Sequence, residues 1–124
     1  MFNFYEPDFV QTGLLASAGL YAPEFQILNA TTAMSTPNYL YNFMFNATYQ
    51  GVSVTFTDLL PLAPTPVSLV DRLNLLFAGN ALPPTTHARI VSAVNALPTS
   101  ATATDRVRTA VYLITTTAEG AVQQ

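Results

Sequence analysis

The 124-residue chain contains no cysteine. That excludes disulfides, thiolate metal sites and a cysteine nucleophile. Charge is also scarce: 9% of residues are charged, against about 25% in an ordinary globular domain. All four cations are arginines, and the formal net charge is −3. A nucleic-acid partner requires a basic stripe to neutralise phosphates, and none is present. Long hydrophobic runs are absent too. The stretch Leu59–Leu62 is short and interrupted by Pro61, far from the ~20 apolar residues that a spanning helix needs. The N-terminus carries Glu6 and Asp8 where a signal peptide would be basic, so an export signal is expected upstream, if there is one.

Half of the residues are hydrophobic. A domain of this length buries roughly two-thirds of its unfolded surface and normally covers the remainder with charge. Many apolar residues with few charges imply that part of the surface meets something else. The expected partners are more of its own parent chain, a protein partner, or a second copy docked through exposed apolar surface.

The pattern predicts an all-α fold of about five helices in a single domain, with an irregular aromatic N-terminal arm (Phe2, Phe4, Tyr5 and Phe9 around Pro7). A short helix over 12–18 has Thr12 as N-cap and Gly19 as its stop. Pro23 opens a second helix, with Glu24 in its first turn and Phe25, Leu28 and Thr32 on one face. Pro37 predicts a break or kink near Ser35 and Thr36. The helix after it carries Tyr39, Leu40, Tyr41, Phe43, Met44 and Phe45 almost all round, the signature of burial on several sides. Val52, Val54 and Phe56 alternate with polar residues, as in a strand. Without a partner strand, an extended connector near 52–56 is expected.

The punctuation is clearest after Thr65. A helix from Pro66 carries the stripe Leu69, Val70, Leu73, Leu76 and Phe77 and stops at Gly79. The next starts at Pro83 or Pro84, ends before Pro98 and turns Ile90, Val91, Val94 and Leu97 inward. The last runs from about Ala103 to Ala118, with Val107, Ala110, Val111 and Ile114 as its stripe.

Candidate chemistry is thin. His87, the single histidine, has no carboxylate near it in sequence and reads as a solvated helix residue. Glu6, Asp8 and Glu24 match no metal loop. Neither a Gly-x-Ser-x-Gly turn nor a Gly-rich phosphate loop occurs, and no cofactor or metal is implied. Asn29-Ala-Thr31 and Asn46-Ala-Thr48 match the glycosylation triplet but fall in predicted helices. The doublets Asp71–Arg72 and Asp105–Arg106 stand off the apolar stripes. Arginine favours bidentate carboxylate contacts, so the four residues could form an ion pair that sets the register of two helices, an anion site, or part of an enzyme active site. Exposed Tyr and Asn side chains could instead bind a carbohydrate.

Four segments taken together resemble the C-terminal end of the DUF1800 family, large bacterial proteins of uncharacterised function. They are Phe2-Asn3-Phe4-Tyr5-x-Pro7; Gly19-Leu20-Tyr21-Ala22-Pro23-Glu24-Phe25-Gln26-Ile27; Leu69-Val70-Asp71-Arg72-Leu73-Asn74 followed by Gly79; and Asp105-Arg106-Val107-Arg108-Thr109-Ala110-Val111-Tyr112-Leu113 with Ala121-Val122-Gln123. Thr117-Ala118-Glu119-Gly120 departs from the family's Ser-Pro-Glu and aromatic. The resemblance implies the closing part of a longer protein, exported to the periplasm or beyond, and assigns no catalytic residue. The expected function is therefore a non-catalytic helical packing or interaction module.

Overall fold

Helix-start prolines and glycine stops divide the chain much as its punctuation suggests. The computed structural model describes residues 6–27 and 30–121. Phe2, Phe4, Tyr5, Leu28, Asn29, Val122 and Gln123, which figure in the expectations above, lie outside the described residues. The chain separates into two units, one ending at Tyr39 and one beginning at Leu40. Among the described residues there are six α-helices and no strand, so the fold is all-α. Residues 53–56 carry no regular secondary structure and follow an isolated bridge between Tyr49 and Val52.

In the first unit, α1 spans Leu14–Ser17. Gly13, not Thr12, occupies its N-cap, and no side chain caps it. Gly19 ends the turn with φ +65°, a left-handed conformation that only glycine enters without strain. Pro23–Gln26 forms a single 3-10 turn rather than the start of a long helix. Gln26 holds this unit together. Its Nε2 donates to the carbonyls of Glu6 (2.9 Å) and Pro23 (3.2 Å), and its Oε1 accepts from the Glu6 N–H (3.1 Å). The Ala22 N–H donates to the Phe9 carbonyl at 2.8 Å, and Ala22 is buried.

Helix α2 covers Ala30–Phe45 with Pro37 inside it, so the helix is not broken there. Proline removes one i→i−4 bond, and the helix proceeds on the bonds to either side. The expected burial of its second half also fails. Leu40, Phe43, Met44 and Phe45 are half-buried, whereas Tyr39 and Tyr41 are exposed.

The core lies wholly within the second unit. It is built by α3 (Pro66–Ala78), α4 (Pro84–Asn95) and α5 (Ala103–Thr115), each packed on the other two. Leu69, Val70, Leu73, Val94, Val107, Ala110, Val111 and Ile114 are fully buried. A 3-10 turn over Leu60–Leu62 and the short α6 (Ala118–Ala121) close on α3 and α5. Helix α5 ends at Thr115, earlier than its apolar pattern implies. Thr117 turns the chain by donating its N–H (3.0 Å) and hydroxyl (2.7 Å) to the Ile114 carbonyl, and its Oγ1 accepts from the Gly120 N–H. A methyl at Gly120 would strike that carbonyl, so this turn requires glycine. Asn74 fastens the turn after α3: its carbonyl accepts from the N–H groups of Gly79 and Asn80, and its Oδ1 from that of Leu82.

Candidate interaction surface

The two Asp–Arg doublets sit on α3 and α5, which pack together, yet no ion pair or hydrogen bond joins any of the four to another. Asp71 instead meets His87, whose Nε2 lies 2.8 Å from Asp71 Oδ1 and joins α3 to the first turn of α4. The histidine is half-buried, contrary to the solvated reading. The separation of 16 residues hides this contact from any local inspection of the sequence.

Asp105 is consumed by a capping box. The Thr102 N–H and hydroxyl both donate to Asp105 Oδ2 (2.9 and 2.7 Å), and the Asp105 N–H donates back to Thr102 Oγ1 at 3.2 Å. This is a reciprocal satisfaction of helix-start donors. The Thr102 hydroxyl, then its N–H, holds the Asp105 carboxyl below the usual carboxylate range; slight burial opposes them and Arg108 adds a smaller attraction. Arg106 turns to α4: its Nη1 donates to the Val94 carbonyl at 3.2 Å, placing a cation on the negative end of that helix. Arg106 also lines a recess of about 400 Å³ with Ala63, Pro66 and Asn95. Arg72 lines a different recess. The sequence expectation of a paired set is replaced by one histidine pair, two helix-end contacts and one unpaired cation.

Arg72 borders a recess of about 500 Å³ whose apolar walls are Phe56, Leu59 and Leu76 and whose other charged group is Asp58. Among the described residues, Asp58 and Arg72 form no ion pair. Leu76 follows Arg72 by four positions, which places the two on adjoining turns of one helix face. The predicted stripe of α3 is split: Leu69, Val70 and Leu73 are fully buried, but Leu76 is 52% exposed and Phe77 42%, with Leu75 beside them at 49%. Exposed apolar side chains that form a large contiguous patch mark contact surfaces.

A second aromatic feature lies where the end of α2 meets α5. Tyr41 stacks on Phe45 with ring centroids 4.7 Å apart, and Tyr112 meets both edge-on at 5.9 and 6.2 Å. Of the three rings, Tyr41 is exposed and the other two are half-buried. Asn46, the second glycosylation-type asparagine, is exposed in a bend just past α2, not within the helix.

Among the described residues no group of three or more His, Asp or Glu side chains could hold a metal ion, and no helix is long and apolar enough to cross a membrane. Compared with known proteins, the chain matches no family model, no curated protein and no solved structure.

Proposed function

We propose that this chain is a non-catalytic helical packing and interaction module that completes a larger exported bacterial protein of the DUF1800 kind. The observation that carries the reading is the divided stripe of α3: one half is fully buried, while Leu75, Leu76 and Phe77 remain about half-exposed. A helix whose apolar surface exceeds what its own unit covers has surface left for something else. Low charge and the four resembling segments support the same reading. The doublets lend little to an active-site role, because Asp71 and Asp105 are held by His87 and Thr102.

The test is an apolar dye. At sub-micromolar concentration the folded chain takes up anilinonaphthalene sulfonate, and replacing Leu75, Leu76 and Phe77 together by serine reduces the uptake while far-ultraviolet circular dichroism is unchanged. A cooperatively unfolding monomer that neither takes up dye nor self-associates at any concentration overturns the reading.

A carbohydrate-binding module is the alternative, and the exposed Tyr41 ring above Phe45 and Tyr112 is the observation that favours it. One open ring is a small platform. Glycan binding abolished by Tyr41→Ala would move the assignment there.

A further inference from the structure

Helix α2 ends at Phe45, and Asn46, Ala47 and Thr48 follow it in an exposed bend. They spell the Asn-x-Thr triplet of N-linked glycosylation. Inside a helix the triplet would be silent, because residues i and i+2 do not face each other and no single cleft could grip both the amide and the hydroxyl. Off the helix that constraint is gone. The last bond of the helix ladder runs from the Asn46 N–H to the Asn42 carbonyl at 3.1 Å. Among the described residues no hydrogen bond engages the N–H groups of Ala47 or Thr48. The Asn46 amide is barely tied: its Nδ2 donates to Asn42 Oδ1 at 3.4 Å, long for such a bond. Ser53 holds the other end of the triplet. Its hydroxyl donates to the Ala47 carbonyl and lies 3.0 Å from Thr48 Oγ1. With the one Ser53 proton spent on Ala47, Thr48 is the donor of the second bond, and its oxygen keeps its capacity to accept.

We infer that Asn46 is an acceptor for an N-linked glycan. The co-substrate is an oligosaccharide carried on a lipid pyrophosphate. The bond from Asn46 Nδ2 to the sugar C1 forms as the bond from C1 to the phosphate oxygen breaks. The lipid pyrophosphate leaves with the electron pair, and Nδ2 gives one proton to a base of the transferase. All three residues of the triplet are exposed, so the glycan projects into solvent and displaces no core side chain. It adds bulky polar cover to a chain in which 9% of residues are charged. This rests on the export in the proposed function, which delivers the chain to membrane-bound transferases.

The test incubates the folded chain, purified without glycan, with lipid-linked oligosaccharide and an oligosaccharyltransferase that requires only the triplet. A short Asn-x-Thr peptide confirms that the enzyme is active. Mass spectrometry of proteolytic peptides finds the glycan on Asn46. Asn46→Gln and Thr48→Ala abolish it and Thr48→Ser keeps it, with circular dichroism confirming that each variant is folded. Asn29→Gln leaves it in place, since Ala30 and Thr31 of that other triplet belong to α2. Modification of the unfolded chain alone, modification at Asn29 alone, or persistence in Thr48→Ala overturns the site. Dye uptake separates this from the broader reading: an unmodified chain that takes up dye removes the acceptor and keeps the interaction module, and a modified chain that takes up none does the reverse.

Discussion

At Asp105 two donors from Thr102 converge on one carboxylate, and the consequence is a stability that depends on pH. The folded-state pKa lies below the ordinary value. The stabilisation is thus fully present above the unfolded carboxylate pKa and is lost as pH falls through the lower, folded one. Asp105→Asn is accordingly less stable than wild type at neutral pH, and the gap narrows in acid; urea titrations at a series of pH values check this. Thr102→Ala removes both the cap acceptor and the hydroxyl donor and costs about 1 kcal/mol at neutral pH. Asp105 in the first turn was legible in the sequence, because helix starts favour carboxylates. Its partner was not, since an Asp–Arg doublet draws the eye toward arginine while the competing hydroxyl is three residues upstream. The same holds for Asp71. Its neighbour is His87, 16 residues on, brought in by the packing of α4 on α3.

Helices were readable where start and stop signals accompany an apolar stripe. Pro66, Gly79, Pro84 and the Val107–Ile114 stripe all correspond to helix features in the structure. Pro37 lies inside a continuous helix, although its sterics favour a terminus or a kink. Inside α2 the missing hydrogen bond is one among many, and the helix continues on both sides. Pro37→Ala restores the N–H and relieves a helix-interior penalty of up to about 3 kcal/mol. We expect greater helical ellipticity and a higher Tm. A drop in Tm would mean that the proline geometry is required by what α2 packs against. The α3 stripe carries the opposite lesson: period alone assigned Leu76 and Phe77 to the core, yet a stripe reports only which side chains share a helix face. Whether the whole length of that face is covered depends on where the neighbouring helices end.

Across the molecule the burial is uneven. The fully buried side chains gather on α3, α4 and α5, whereas Ala22 is the one buried hydrophobic among the described residues before Tyr39. Amides in regions with few buried contacts open at lower free energy. Hydrogen exchange on the intact chain should therefore find its slowest amides in α3, α4 and α5, with the described residues before Tyr39 exchanging much sooner. Uniform protection across both units would contradict this ordering. The sequence by itself determined the helical class, a helix start at Pro66, another at Pro83 or Pro84, and the inward stripe of α5, because these follow from local backbone preferences and a 3.6-residue period. Only the tertiary structure decided that His87 holds Asp71, that Arg106 serves the end of α4, and that Leu76 and Arg72 stand open beside a recess. Each of those depends on which groups distant in the chain are brought within reach, and local pattern carries no such distances.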